Sequence, residues 1–233
     1  TNSEFIRINN GEILQDSLES AYNNESINNT TVLCRSNKRA NLYNQQIRAK
    51  IKFHENEISA GDILMVVRNN YYWTDKNSEI GFFANGDIVE VLKLRETIER
   101  YGFRFARASI QLKDYPNEKV LDVILLLDTL SSEYPAMTYN QYQKLYKEIS
   151  IDYKGEKEIN KKIKENQFFN ALQIKFAYAI TCHKSQGGQW ENVFIDLGYF
   201  KENMLDKSYL RWLYTAITRS SKKIYLVNFP EKF

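Results

Sequence analysis

Residues Ala177–Val193 read AYAITCHKSQGGQWENV, and the fold turns on this stretch. An apolar run, Phe176 to Ile180, leads into it. A tight polar cluster follows, made of Thr181, His183, Lys184, Ser185, Gln186 and Gly187. A second apolar run, Val193 to Leu197, leaves it. Apolar strand, polar turn into a helix, apolar strand is how an open α/β sheet presents a site at the carboxyl ends of its strands. Hydroxyls of Thr181 and Ser185, with backbone N–H groups at a helix start, can donate to an anion. Gly187 and Gly188 let a phosphate or another backbone approach closely. The set suits phosphate, of a nucleotide or of a nucleic-acid backbone. A polar strand-to-helix turn with no ligand gives the same pattern.

The α/β pattern continues on both sides. Downstream, Ser208–Arg219 reads as a helix with Leu210, Leu213, Tyr214 and Ile217 on one face, and Lys223–Asn228 as the last strand. Arg219, at the end of that helix, is read either as a helix C-cap or as a guanidinium aimed at a nucleotide γ-phosphate. Upstream, Thr31–Cys34 is a short buried strand, Ser36 a helix N-cap, and Asn37 to Ile51 a helix whose apolar positions are Ala40, Tyr43, Ile47 and Ile51. Its polar residues Arg35, Asn37, Lys38, Arg39, Asn44 and Arg48 read as a solvated face. A helix-like stretch, Ile13 to Tyr22, precedes it.

The middle of the chain differs. Ile63–Val67, Ile88–Leu94, Phe103–Leu112 and Val120–Leu127 read as short strands with turn signals such as Asn85-Gly86-Asp87, which suggests a small barrel or sandwich. Thr138–Gln167 is mostly helical and rich in lysine, with Asp152–Lys164 as a solvent-exposed excursion. Leu172–Ile180 is one strand of the returning α/β sheet. The expected fold is therefore α/β, a parallel sheet over 1–60 and 168–233, interrupted by a β-barrel-like insert with a helical segment over 61–167. Tyr71, Tyr72 and Trp73 in the loop after Ile63–Val67 fit stacking on bases, and equally fit loop packing.

Composition narrows the classes. The chain has 233 residues, 43% of them hydrophobic, a formal net charge of +3 and two cysteines. No apolar run approaches the roughly 18 residues that span a bilayer, and no signal peptide is seen, so a cytoplasmic protein away from membranes is expected. The chain begins TNSEF, without Met, which reads as an excised fragment. Cys34 and Cys182 sit in apolar contexts without metal spacing, and His54 has no evident partner, so no metal site is expected. No G-x-x-x-x-G-K-[ST] is present, and no apolar run ends in an Asp-Glu pair able to hold Mg²⁺. Ser185 and Cys182 lack a base–acid pair, which argues against a hydrolase triad.

Three stretches then fall together: TVLCRSNKRANLYNQQIR from Thr31, FAYAITCHKSQGGQWENVFID from Phe176 and LRWLYTAITRSSKKIYLV from Leu210. In order, they resemble the C-terminal motifs of superfamily 1 DNA helicases, most closely the UvrD-like C-terminal domain of the RecD-like branch. ISAGDILMVVRNNYY with FFANGDIVEVL is similar to the entry into that branch's inserted SH3-like barrel, domain 2B. The resemblance covers 31–95 and 172–229 well and is weak across 96–171. It implies a RecA-like domain 2A, with ATP between domains 1A and 2A and single-stranded DNA across both. By position it implies Arg219 as the catalytic γ-phosphate contact, and Gly187 and Gln189 beside the nucleotide. It implies Arg35, Ser36, Asn37, Thr181, His183 and Lys184 at the DNA. Many relatives carry Glu where Gln189 stands; Gln can still bond a hydroxyl, and Glu191 lies two residues on. The implied function is the C-terminal motor half of an ATP-dependent DNA helicase moving 5′ to 3′. ATP and Mg²⁺ would be cofactors of the full-length protein, with the Mg²⁺ ligands in domain 1A of the same polypeptide. The fragment alone is expected to bind no cofactor and to be inactive. Single-stranded DNA, domain 1A and repair or nuclease subunits are the implied partners. A non-catalytic nucleic-acid-binding or interaction module, or a helicase-like subunit of an exonuclease complex, are the alternatives.

Overall fold

The computed structural model describes residues 4–24, 29–74, 80–117, 119–199 and 204–230. Its elements, in chain order, are β1 (Glu4–Ile8), α1 (Gly11–Asn24), β2 (Thr30–Cys34), α2 (Asn37–Lys50), β3 (Ile63–Val66), β4 (Ile88–Arg100), β5 (Phe103–Leu112) and β6 (Leu121–Leu126). There follow α3 (Tyr139–Asp152), α4 (Ile159–Glu165), β7 (Leu172–Phe176), β8 (Ala179–Thr181), β9 (Trp190–Asp196), α5 (Lys207–Ile217) and β10 (Ser220–Val227). The chain divides into two compact units, with breaks between Glu55 and Asn56 and between Phe176 and Ala177. The first holds the parallel sheet and the second the barrel, so residues 168–176 go with the barrel rather than with the sheet.

In the first unit the strands run in the order β1-β10-β9-β2-β8, all parallel. A parallel strand with helices on both faces must be apolar on both sides. All five residues of β2 are buried, as is the run Val193–Asp196 of β9. Phe194 and Tyr225 stack across β9 and β10 with ring centroids 4.1 Å apart. Ser36 caps α2 as its spacing predicts, its hydroxyl oxygen accepting from the Arg39 N–H at 3.2 Å. The polar face expected on α2 is only partly solvated, because Asn44 and Arg48 are buried. The Asn44 amide donates to the Ala179 carbonyl at 2.9 Å and accepts from the Ala179 N–H at 2.7 Å. It thereby satisfies the outer edge of β8, a strand of three residues whose other edge pairs with β2. Unpaired edge groups in a buried setting are costly, and a side-chain amide meets both at once.

The second unit is a closed barrel, β3-β4-β5-β6-β7, in which β7 closes the ring by pairing antiparallel with β3 and parallel with β6. The sequence reading of 172–180 as one strand is thus corrected. Leu172–Phe176 belongs to the barrel, Ala179–Thr181 to the parallel sheet, and the break falls at Ala177–Tyr178. Thr138 opens α3 with a capping box to Gln141. Most of Asp152–Lys164 is exposed, as expected, but Ile163 within it and Leu145 and Ile149 of α3 bury against Phe103, Phe105, Ile124, Leu126 and Phe168. Burying each such side chain contributes about 1.5–3 kcal/mol, which holds both helices on the barrel.

Lys175 of β7 is buried, its ammonium donating to the Thr129 carbonyl at 3.1 Å and the Ser132 carbonyl at 2.5 Å. Burial pulls its pKa down from 10.5 to about 8. Between those values the unfolded chain holds more protons than the folded one, so stability rises with pH across this window. Wild-type stability relative to Lys175→Met is therefore expected to rise from pH 8 to above pH 10, as measured by paired denaturant titrations. A difference that stays flat or falls overturns this reading.

Candidate functional site

The residues singled out for nucleotide and DNA contact by the resemblance lie on the parallel-sheet unit and gather in two places, while Tyr71, Tyr72 and Trp73 lie on the barrel unit. The first is at the carboxyl ends of β2 and β8, which pair in register Cys34 to Thr181. Beyond β8 the chain makes a four-residue 3₁₀ turn, Cys182–Ser185. Ser185 is fully buried and its hydroxyl donates to the Cys182 carbonyl at 2.7 Å, so it holds the turn and faces no ligand. His183 is exposed and Lys184 half-buried, with burial lowering the Lys184 pKa. Arg35 leaves the end of β2 exposed, its guanidinium 5.8 Å from the ring centre of Tyr209 and 5.7 Å from that of Trp212. Arg35, His183, Gln186, Arg211, Trp212 and Thr215 line a cleft of about 340 Å³ with Cys182 and Ser208. Ser36 and Asn37 stand at the neighbouring start of α2, where the Ser36 hydroxyl is occupied as the cap. The cleft carries two guanidiniums, an imidazole and an indole, and no carboxylate, which is a setting for a phosphate and a flat ring.

The second place is at the amino ends of β9 and β10. Arg219 lies just past α5, which is C-capped by Thr218. Its Nε donates to the Thr215 carbonyl at 3.2 Å, Nη1 to the Gly188 carbonyl at 3.3 Å and Nη2 to the Thr218 hydroxyl at 3.1 Å. The Trp190 N–H donates to the Arg219 carbonyl at 2.9 Å, which ties the two strand starts together. Both readings of Arg219 therefore have a physical basis. It caps the helix, and with five N–H groups a guanidinium making three bonds keeps two to offer. Gly187 has φ +86° and open space where a Cβ would be, so an approaching group meets only backbone. At Gly188 a Cβ would sit 2.3 Å from the Trp190 ring, so this position admits no side chain. Gln189 is exposed beside it, and Glu191 pairs with Lys222 at 2.8 Å.

One element joins the two places. Along α5, Arg211 and Trp212 line the cleft, and Thr215, one turn on, lines it too while its carbonyl holds Arg219. The packed face of α5 differs from the one expected. Tyr209 and Ala216 are buried, whereas Leu210 and Tyr214 are exposed. An apolar stripe through Leu210 and Tyr214 leaves Arg211 and Trp212 off the face that periodicity marks, whereas the structure turns both into the cleft. The spacing Arg211, Thr215, Arg219, four residues each, was the available signal.

A third feature was also missed. The Asp196 carboxylate, fully buried at the end of β9, is ion-paired to the Arg39 guanidinium. It also accepts from the Asn228 amide at 2.7 Å and the Gly198 N–H at 3.0 Å. Burial first, and the neighbouring Asp196 second, push the Cys34 thiol and the Tyr43 hydroxyl well up. Among the described residues no group of three or more His, Cys, Asp or Glu side chains gathers to hold a metal.

Residues 176–227, which include His183, Arg211, Trp212 and Arg219 but not Arg35, Ser36 or Asn37, match the family model of the UvrD-like helicase C-terminal domain. Over these residues the chain is similar to the C-terminal domain of UvrD-like helicases. A stretch of 66 residues, 26% of the chain, is 41% identical to the RecBCD enzyme subunit RecD of Buchnera aphidicola, covering 10% of that protein. An uncharacterized protein of Methanocaldococcus jannaschii is 26% identical over 156 residues, 66% of this chain and 12% of the relative. The chain thus spans about a tenth of the length of these curated relatives. The crystal structure of Pif1 helicase from Candida albicans aligns with 96% of this chain and 50% of its own, at 12% identity and a TM-score of 0.47. Among the described residues no helix is long and apolar enough to cross a membrane.

Proposed function

We propose that the chain is the C-terminal motor half of an ATP-dependent DNA helicase, translocating on single-stranded DNA 5′ to 3′. The observation that carries this is the hydrogen bond from Arg219 to the Gly188 carbonyl, which places a guanidinium with spare donors beside the open Gly187 turn. The remaining donors of Arg219 fit the γ-phosphate, and Gln189 a nucleotide hydroxyl. ATP with Mg²⁺ would supply the phosphoanhydride and its counter-charge. The residues here fit the phosphate but offer no carboxylate set for Mg²⁺, so domain 1A of the same polypeptide would hold the metal. Arg35, Ser36, Asn37, Thr181, His183 and Lys184, now joined by Arg211 and Trp212, would meet the DNA strand. Helix α5 touches both places, so a change in how tightly Arg219 is held alters the wall of the DNA cleft. The similarity to RecD supports a second reading, a helicase-like subunit working with nuclease or repair partners.

The test measures anisotropy of a labelled oligo(dT) against salt, with wild type and an Arg35→Ala/Arg211→Ala variant. Loss of two phosphate contacts is expected to weaken binding at least tenfold and to reduce the salt slope by about 1.4, at roughly 0.7 per contact on single strands. Unchanged affinity and slope would remove the cleft from the DNA path. The same 233-residue chain, without a P-loop, is expected to show no ATP turnover above background, and robust turnover sinks the split-site reading.

A further inference from the structure

The parallel-sheet unit carries a groove away from both places described above. It runs between α1 and α2 and measures about 230 Å³. Its floor is apolar, made of Leu14, Leu18, Tyr43, Ile47 and Ile51, and Leu42 stands at its lip, 48% exposed. Helices α1 and α2 connect strands in one direction along the sheet and α5 in the other, so right-handed crossovers put the groove on the face opposite α5. Its walls are anchored to the sheet. The Tyr22 hydroxyl of α1 donates to the Tyr178 carbonyl at 2.7 Å, and the Asn44 amide of α2 is bonded to Ala179. The Arg39 guanidinium, held by Asp196, lies over the Tyr43 ring at 5.2 Å and forms part of one wall. A long hydrogen bond, from Lys50 Nζ to Gln15 Oε1 at 3.5 Å, reaches across the opening.

The two walls are opposite in charge. Helix α1 carries Glu12, Asp16 and Glu19, each one turn from the next, and no base. Helix α2 carries Lys38, Arg39, Arg48 and Lys50 and no acid. Glu19 accepts from the Gln15 amide at 2.9 Å, which brings the acidic row to the lip. Among the described residues Glu12, Asp16 and Lys50 have no ion-pair partner, so the walls do not neutralise each other. A third element laid between them would remove the apolar floor from water and meet both signs of charge. A small ligand takes about 300–1,000 Å³, more than the groove holds, and would leave the charged walls unanswered. A nucleic acid would be repelled by α1. An amphipathic helix answers all of it, with apolar anchors at i, i+3 and i+7 on the floor, bases toward α1 and acids toward α2.

We propose that the α1–α2 groove docks a partner protein through one amphipathic helix of the partner, acidic along one flank and basic along the other. The site does not rest on the motor reading above, and the test keeps the two apart. The probe is a labelled, helix-stapled peptide of about 14 residues, matching walls of 14 residues each and about 21 Å long. It carries Leu at i, i+3 and i+7, Glu on one flank and Lys on the other. Two control peptides carry Glu on both flanks or Lys on both flanks. Anisotropy with the 233-residue chain is expected to rank the two-signed peptide tightest. Leu42→Glu should weaken it about tenfold by placing a charge at the apolar lip. Lys50→Glu makes both walls acidic, so it should weaken the two-signed peptide about fivefold and strengthen the peptide with Lys on both flanks. Thermal melting checks that both variants fold, as expected for exposed side chains. Binding should persist in the Arg35→Ala/Arg211→Ala variant and in the presence of oligo(dT). Equal affinity for the three peptides, a loss below twofold in Leu42→Glu, or displacement by oligo(dT) overturns the proposal. So does self-association of the chain that Leu42→Glu abolishes, which would give the groove to a second copy. Failure of the full-length protein to bind the peptide overturns it too, since the groove would then be filled from within the polypeptide.

Discussion

Arg219→Ala in the full-length protein is expected to lower ATP turnover about a thousandfold while changing oligonucleotide affinity less than threefold. The first number follows from the role proposed. A guanidinium that stabilises charge on a transferring γ-phosphoryl group is worth about 10³–10⁵ in turnover. The second follows from geometry. Arg219 lies at the amino ends of β9 and β10, bonded to Thr215, Thr218 and Gly188, and it is not among the residues lining the cleft of Arg35, His183 and Arg211. The substitution also removes a helix cap. Its three bonds are part-exposed, so the cost to stability is about 1 kcal/mol, and the variant remains folded. Arg219→Lys separates the two roles further: a lysine keeps the charge but cannot bond the Gly188 and Thr215 carbonyls with one planar fork. It should therefore recover little turnover. Steady-state hydrolysis with saturating oligo(dT) is the measurement. Turnover within fivefold of wild type in the alanine variant would leave Arg219 as a helix cap alone.

Arg39→Met should destabilise the chain by about 2–4 kcal/mol. Its partner, Asp196, is fully buried, and removing one half of a buried ion pair leaves the other without compensation, at a typical cost of 3–5 kcal/mol. The lower range applies because the Arg39 side chain is 40% exposed, so water screens part of the pair. The Asn228 amide and the Gly198 N–H continue to donate to Asp196 and limit the loss further. Asp196→Asn in the same background removes the orphaned charge and should restore part of the stability. Urea titrations of the single and double variants check both statements. If Arg39→Met costs under 0.5 kcal/mol, the pair is a surface contact and the account of the β9 end is wrong.

Where the sequence was readable, local chemistry left one option. Ser36 before a periodic stretch is an N-cap, and it caps α2. The runs TTVLC and VFID are too apolar to face water on either side, and they are central parallel strands. Alternating residues in β5 and the turn at Asn85–Asp87 required a β-rich insert, and it is the barrel. The reading failed where a residue's role is set by a partner far along the chain. Asn44 and Arg39 look like polar positions on a solvated helix, but Asn44 is buried against the backbone of Ala179, 135 residues on, and a half-exposed Arg39 is ion-paired to Asp196, 157 residues on. Leu210 and Tyr214 fit an apolar stripe at helical spacing, yet the packed face of α5 is Tyr209 and Ala216. Periodicity gives a stripe, and only the neighbouring layer decides which stripe is covered.

The stretch Ala177–Val193 shows the division most clearly. By itself it determined a buried strand, a polar turn with paired glycines, and a second buried strand, because apolar runs must leave water. Only the tertiary structure decided how its polar residues divide. Ser185 turns inward to hold the 3₁₀ turn, and His183 joins Arg35 and Arg211 at the carboxyl ends of β2 and β8. Gly188 meets Arg219 at the amino ends of β9 and β10. Spacing along a chain sets which residues are near in sequence. Which end of the sheet each one serves depends on where the crossover from β8 to β9 passes, and that is fixed by the packing of α5 and the pairing of strands remote in sequence.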